Sequence, residues 1–321
     1  MKTVRNAAVF LLMGALLSSV VQTVFLEKSS YPKYRAWKNA EDVDVLVLGN
    51  SHAENGIRAG TLSGSLSEGA GRDLTVFNYA VYGMRMEQMY YFVKEIFKTH
   101  VPDLIILETY AFCPLAESDR EILARRAFDV FPLSRNKVEA IDYCVSDDPV
   151  SFYLPFVKYH TRWEWLTPGD VRILYDNSLW PVYGGNGSYD ETEMTDPEDG
   201  WFRQEIPDPE ELREITPSEK ECLEKLLLLL EEEHVRLLFV SVPFKSQMGL
   251  DSIEQVKINN YLREHYANGD TVDMLDMNRL WTELDFGYGD LYNEGHVNAG
   301  GADKVTGCLL EYLRGRYFWG E

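Results

Sequence analysis

The chain has 321 residues, 45% of them hydrophobic and 13% aromatic, which is enough apolar material for one large α/β domain and too much for a disordered chain. Its 52 acidic side chains outnumber 31 Lys and Arg, and the resulting net charge of -21 argues against a nucleic-acid-binding role, because phosphate backbones reward clustered cations. Cys113, Cys144, Cys222 and Cys308 are far apart with no CxxC or CxxH spacing, so no zinc site is legible and the sequence calls for no cofactor.

At the N-terminus, Lys2 and Arg5 precede an apolar run over residues 7–26. Twenty residues at about 1.5 Å each reach across roughly 30 Å of hydrocarbon. The run also outlasts the apolar core of a secretory signal, which is usually about 7–15 residues. Residues 1–26 therefore read as a membrane anchor or signal segment, with an uncleaved, single-pass anchor the favoured of the two. Lys28, Lys33, Arg35 and Lys38 follow it, so basic residues flank both ends and charge gives no clean orientation. The very short tail before the run favours a domain outside the cytoplasm. Residues 27–42 form a linker.

From residue 43 onward, strand-like and helix-like segments alternate. Residues 43–48 read as a fully buried strand, nearly continuous in apolar side chains. "DLTVFNYA" (73–80) is a second strand, "MEQMYYFVKEIFK" (86–98) a helix and "PDLIILETYAF" (102–112) a third strand. "SEKECLEKLLLLLEEE" (218–233) is a helix with Ser218 as N-cap and Glu221 completing a capping box. "VRLLFVSVPF" (235–244) and "TVDMLDM" (271–277) are two more strands, separated by a helix over 252–266, and a last helix spans 301–318. The alternation predicts right-handed crossovers and a doubly wound sheet of about five parallel strands. Cys222 and Cys308 fall in helical patterns and read as buried free thiols. Residues 113–215, rich in Tyr, Trp, Pro, Asp and Gly, break the rhythm and read as an insertion or lid over the sheet's edge.

Ligands of an open parallel sheet bind beyond the carboxyl ends of its strands. There the first strand ends in Asn50-Ser51-His52, the second in Asn78 through Gly83, and the third in Glu108-Thr109. A serine at the first strand-to-helix turn stands where a nucleophile is exposed. Far along the chain, "DLYNEGHVNAGGADKV" (290–305) sets His296 in a loop just before a helix, flanked by Asp290, Asn293 and Asn298. Serine needs a base, and the base needs an acceptor on its other nitrogen to fix its tautomer. The topology brings both ends to one sheet edge, so Ser51 and His296 are candidate nucleophile and base. His52, beside the serine, is a candidate orienting or substrate-facing residue, and Asn78 through Gly83 supply polar punctuation at the neighbouring strand end. Tyr159, His160 and Trp163 are candidate lining for a sugar cleft, though aromatic core is the default for such a stretch.

"LGNSHA", "NYAVYGM", "PDLIILE" and "DLYNEGHVNAGGA", in this order, resemble blocks of the SGNH (GDSL) hydrolase superfamily. The likeness covers most of residues 43–112 and 235–315, and is nearest to the membrane-anchored bacterial branch that includes D-alanyl-lipoteichoic acid biosynthesis and alginate O-acetylation type proteins. "YHTRWEWL" (159–166) also resembles a segment of that branch. The resemblance implies a three-layer α/β/α, flavodoxin-like fold, with Ser51 as nucleophile, His296 as base and oxyanion donors at the Ser51 and Gly83 N–H groups. It implies an esterase or O-acyltransferase, of acetyl or D-alanyl type, acting on cell-envelope polysaccharide or teichoic-acid-like polymer. Its implied partner is a membrane-bound O-acyltransferase. Two positions depart from the pattern. Glu108-Thr109-Tyr110 stands where the family's oxyanion asparagine is expected, and Asn293 stands where its acid is expected. Asp290 is the expected substitute acid if the loop curls back. The departures leave a second reading, a scaffold of weak or no activity that binds envelope carbohydrate.

Overall fold

The computed structural model describes residues 2–25, 30–113, 120–145, 148–172, 208–247 and 249–317. In chain order the elements are α1 (Lys2–Phe25), α2 (Tyr31–Asn39), β1 (Val45–Leu48), α3 (Ser51–Gly56), α4 (Ala59–Ala70), β2 (Val76–Asn78), α5 (Met86–Ile96) and β3 (Leu104–Glu108). Short helices follow: α6 (Arg120–Phe128), α7 (Arg135–Cys144), α8 (Val150–Tyr153), α9 (Pro155–Tyr159) and α10 (Pro168–Arg172). The second half holds α11 (Pro217–Glu232), β4 (Arg236–Ser241), β5 (Ser246–Gln247), β6 (Leu250–Asp251), α12 (Ser252–Tyr266), β7 (Val272–Asp276), β8 (Leu291–Asn293), β9 (His296–Val297) and α13 (Ala299–Arg316).

Five of the strands form one parallel sheet in the order β2-β1-β3-β4-β7. Both of its faces are apolar, as the unbroken hydrophobic runs require. Leu46, Leu48, Ile105, Leu107, Leu237 and Phe239 face a core shared with α2, α5, α11 and α12. Val45, Val47, Leu104, Ile106, Leu238 and Val240 face a second core closed by α3, α4 and α13. The result is a three-layer α/β/α sandwich. The strand order reverses direction between β1 and β3, so the crevice where such sheets take ligands opens beyond those two carboxyl ends.

Helix α11 begins two residues earlier than the Ser218 cap predicts. Thr216 caps it, accepting from Glu219 N at 3.3 Å while the Glu219 carboxylate accepts from Thr216 N at 2.7 Å. Pro217 decides the matter, because it fits the first helical turn and has no N–H to lose there. All four cysteines are free: Cys113, Cys144 and Cys222 are buried and Cys308 is half-buried.

Of the expected lid, α6 and α7 pack against α5, extending that helical layer. The stretch "WPVYGGNGSYDETEMTDPEDGW" lies outside the described residues. Tyr159 is buried and donates its hydroxyl to the Asp129 carboxylate, whereas Trp163 and Trp165 stand exposed. Residues 2–25 form one helix whose side chains are described as far as Leu17. Among the described residues no helix is long and apolar enough to cross a membrane, so the anchor expected over residues 7–26 is not found there.

The turn out of β1 is the tightest point near the crevice. A Cβ on Gly49 would lie 2.7 Å from that of Glu108 and 2.8 Å from that of Ala53. Gly49→Ala is therefore expected to push β1 and β3 apart and to lower stability by about 1–3 kcal/mol. Chemical denaturation of the two proteins measures this, and an unchanged midpoint would show that the turn has slack.

Candidate active site

Asn50 follows β1 after Gly49 and caps α3, its Oδ1 accepting from His52 N at 3.0 Å. That cap makes Ser51 the first residue of the helix, so its own N–H has no intrahelical acceptor and remains available to a ligand oxygen. The loop after β2 is stitched alongside. Val81 N donates to Gly49 O at 3.0 Å, and Lys33 Nζ donates to Ala80 O at 2.7 Å.

His296 arrives from the opposite end of the chain on the β8–β9 hairpin, in which Asn293 pairs with His296 across the turn Glu294-Gly295. The loop after β4 clamps that turn. Lys245 N and Ser246 N both donate to Glu294 O, at 2.8 and 3.1 Å, while Lys245 Nζ and Ser246 Oγ hold its carboxylate at 2.5 and 2.8 Å. So held, His296 Nε2 lies 2.8 Å from Ser51 Oγ. Its Nδ1 lies 3.0 Å from Asn293 Oδ1, which also accepts from Gly295 N at 2.9 Å. The Gly295 bond fixes which end of the amide faces the ring. Nδ1 therefore carries the proton, and Nε2 presents its lone pair to the serine hydroxyl. Ser51 and His296 are both nearly buried, and burial pulls the His296 pKa below its ordinary value, against a smaller upward pull from the Glu54 carboxylate. The imidazole is thus neutral near pH 7, as a base must be.

Asp290 does not take the acceptor position expected of it. Its carboxylate accepts from Gly287 N at 2.9 Å and pairs with Lys304 at 2.9 Å, and its carbonyl accepts from Asn298 N at 2.9 Å. Asp290 braces the start of α13, where a Cβ on Gly301 would come within 2.1 Å of the Asp290 carbonyl oxygen. The two-residue turn leaves Asn293 directly opposite His296, so the loop has no need to curl back.

Asn78 is also structural. Its Nδ2 donates to Ala53 O and Ile57 O, both at 2.9 Å, and its Oδ1 accepts from Ala80 N at 3.1 Å. It ties α3 to β2 and is fully buried, away from any substrate. Gly83 adopts a positive φ of 76°, and a side chain there would strike Leu123 of α6 at 2.3 Å. His52 is 1% exposed, which removes it from direct substrate contact. It stacks on Tyr110 at 4.0 Å, meets Phe244 edge-on at 5.0 Å and lies 5.1 Å from the His296 ring. Its Nδ1 faces Asn50 Oδ1 at 3.2 Å, and desolvation, reinforced by His296 and Arg85, holds its pKa well below the usual value. His52 is a neutral aromatic wedge behind the base.

At the end of β3, Glu108 occupies the expected oxyanion-asparagine region. It is fully buried, accepts from Tyr110 N at 3.0 Å, and burial pushes its pKa up to about 8. Thr109 is bound by Gln255 Nε2, at 3.2 Å to its carbonyl and its hydroxyl. Sequence reasoning missed Asn50, Tyr110, Phe244 and the Lys33–Glu54 pair. Only Asn50 left a signal, as a cap-forming side chain just before the helix. Among the described residues no cluster of three or more His, Cys, Asp or Glu is arranged to hold a metal. No protein-family model matches the chain, and no curated protein matches it.

The Asn293 geometry ranks two substitutions. Asn293→Ala frees the His296 tautomer and is expected to lower kcat on a small ester by about 10²-fold. Asp290→Asn should leave kcat within a few-fold while lowering the melting temperature, because it loses the Lys304 ion pair. Ester kinetics and thermal melts of both variants check this, and the reverse ranking would return the acceptor role to Asp290.

Glu108 gives a second expectation. A buried carboxyl whose pKa rises on folding contributes stability that is whole below about 4.3, the unfolded value, and is lost as pH climbs through its folded value near 8. Glu108→Gln offers Tyr110 N an amide oxygen in place of the carboxyl oxygen and removes that loss. The variant should gain on the order of 4 kcal/mol over wild type between about pH 5 and pH 8.5. Parallel stability curves would refute a neutral Glu108.

Proposed function

We propose that the protein is a serine-dependent esterase or O-acyltransferase acting on acylated cell-envelope polysaccharide or a teichoic-acid-like polymer. The observation that supports this most directly is the 2.8 Å contact between Ser51 Oγ and His296 Nε2, at the crevice where the strand order reverses. The chain-ranked order 2-1-3-4-5 is that of flavodoxin-like sheets, in keeping with the resemblance to SGNH hydrolases.

In this reading Ser51 Oγ attacks the acyl carbonyl carbon and passes its proton to His296 Nε2. The carbonyl electrons move to oxygen, which the Ser51 and Gly83 N–H groups receive. Collapse expels the alcohol, protonated by His296, and leaves the acyl group on Ser51. Water or a polymer hydroxyl then gives its proton to His296, attacks the acyl-serine and frees Ser51. The acceptor decides between hydrolysis and transfer. Asn293 orients the base throughout, while His52 packs behind it.

The same reading puts the domain outside the cytoplasm on a membrane, beside a membrane-bound O-acyltransferase that delivers the acyl group. Phe10, Leu11, Leu12, Met13 and Leu16 of α1 are all exposed, and α1 packs near α9 and α10, next to exposed Trp163 and Trp165. Apolar helices and tryptophans of this kind suit a bilayer boundary.

The test is covalent labelling by a fluorophosphonate, wild type beside Ser51→Ala and His296→Ala. Wild type should label at Ser51, and Ser51→Ala should not label. His296→Ala should slow labelling and ester turnover by about 10³-fold or more, and adding Ser51→Ala should cost little further. Because burial lowers the base's pKa, wild-type activity should persist to lower pH than an ordinary histidine would allow and decline with further acid. An unlabelled, well-folded wild type would instead support the non-catalytic, carbohydrate-binding scaffold.

A further inference from the structure

The acceptor behind His296 is a neutral amide, which orients the ring but does not balance the positive charge that the ring acquires on taking the serine proton. Other charges near the base come from several elements. On the hairpin itself, Glu294 is neutralised by Lys245, and beyond it Asp290 is paired with Lys304. From α3 and the β3 end come His52 and Glu108, both buried and held toward their neutral forms, and from the start of α5 comes Arg85, which lies under the Tyr110 ring. A third carboxylate, also paired with a lysine, stands on the serine's own helix, which packs against β9. It is Glu54, three residues after Ser51 and so on the same face of α3.

Glu54 is not free to swing. Lys33 reaches across from α2, donating to Glu54 Oε1 at 2.5 Å and to Ala80 O at 2.7 Å. Lys33 is 4% exposed, a burial that a lysine accepts only with firm partners. An ammonium pinned between the Glu54 carboxylate and the loop after β2 ties that carboxylate to the loop, one helical turn from Ser51.

Building on the reading of Ser51 and His296 as nucleophile and base, we propose that Glu54 is the positioning residue that supplies the counter-charge for His296, and that Lys33 sets how much of that charge the base feels. The acid missing beside the imidazole is thus replaced by one acting through space from the nucleophile's own helix. The direction of Glu54's pull on His296, upward against desolvation, agrees with this. The arrangement separates two tasks that one aspartate usually combines. Asn293 fixes the tautomer, and Glu54 stabilises the charged ring.

The consequences have opposite signs, which a merely structural role would not produce. Removing the negative charge in Glu54→Gln should lower the His296 pKa, moving the acid limb of activity toward lower pH by on the order of half a unit. It should also reduce the plateau kcat by about 3–10-fold with little change in KM, because only the charged ring of the transition state loses support. Removing the opposing positive charge in Lys33→Met should move the limb to higher pH by a similar amount. Glu54→Asp, which keeps the charge, should restore most of the wild-type profile.

The experiment titrates the His296 imidazole by NMR in the full chain, assigned with His296→Ala, and alongside it measures the pH dependence of fluorophosphonate labelling. Opposite displacements for Glu54→Gln and Lys33→Met support the counter-charge. If Lys33→Met does not fold, the contrast of Glu54→Gln with Glu54→Asp decides alone. An unmoved His296 titration in a folded Glu54→Gln variant overturns it. Failure of wild type to label at Ser51 would overturn the catalytic reading instead, and the imidazole titration distinguishes the two outcomes because it needs no turnover.

Discussion

Asn293 Oδ1 accepts two N–H groups, one from Gly295 and one from His296. The Gly295 bond closes the hairpin turn, and the His296 bond sets the ring. One oxygen thus couples the fold of a two-residue turn to the proton placement on a base. Everything around it resists slippage. The loop after β4 grips Glu294 by four bonds, and the bond from Asn298 N to Asp290 O fixes where α13 starts. Side chains held this way lose little freedom when they act, which is the condition for a hydroxyl and an imidazole brought together across 245 residues to stay within 2.8 Å.

The crevice is notable for how little charge it holds. His52, Glu108 and His296 are all displaced toward their neutral forms by burial. A neutral His52 can stack on Tyr110 and lie 5.1 Å from His296 without repelling it. A protonated Glu108 adds no anion at the end of β3, which suits the proposed acyl transfer. The net charge of -21 therefore belongs to the rest of the surface, and the carboxylates nearest the dyad are each matched by a lysine: Glu54 by Lys33, Glu294 by Lys245 and Asp290 by Lys304.

Much of this was legible from the sequence, for identifiable reasons. Strands buried on both faces write themselves as unbroken apolar runs, so all five sheet strands were found, with boundaries within a few residues. Ser51 and His296 stood out because each interrupts an apolar pattern where the topology puts a carboxyl edge. The choice between Asp290 and Asn293 was not legible, because it turns on the curvature of a hairpin and both residues are plausible acceptors by spacing. Capping chemistry was ambiguous at α11 for a related reason: Thr216–Glu219 and Ser218–Glu221 both satisfy the box, and only the proline between them discriminates. Asn78 looked like site punctuation and is instead a clamp on α3, since a polar residue at a strand end serves either purpose until its partners are seen.

The absence of an aspartate beside His296 changes how the site must be judged. In a linear triad the acid orients and neutralises at once, so loss of the carboxylate reads as loss of function. Here orientation comes from a neutral amide fixed by its own turn, and the nearest unbalanced demand arises only once the ring is charged. That demand is electrostatic and acts at a distance, so it does not require a hydrogen bond or a set sequence spacing to the histidine. Glu54 lies one helical turn from Ser51, on the rigid element that also presents the nucleophile's N–H. A carboxylate in that position stays fixed relative to Ser51 even if the hairpin shifts. An amide next to the base and an acid next to the nucleophile are thus compatible with one working site.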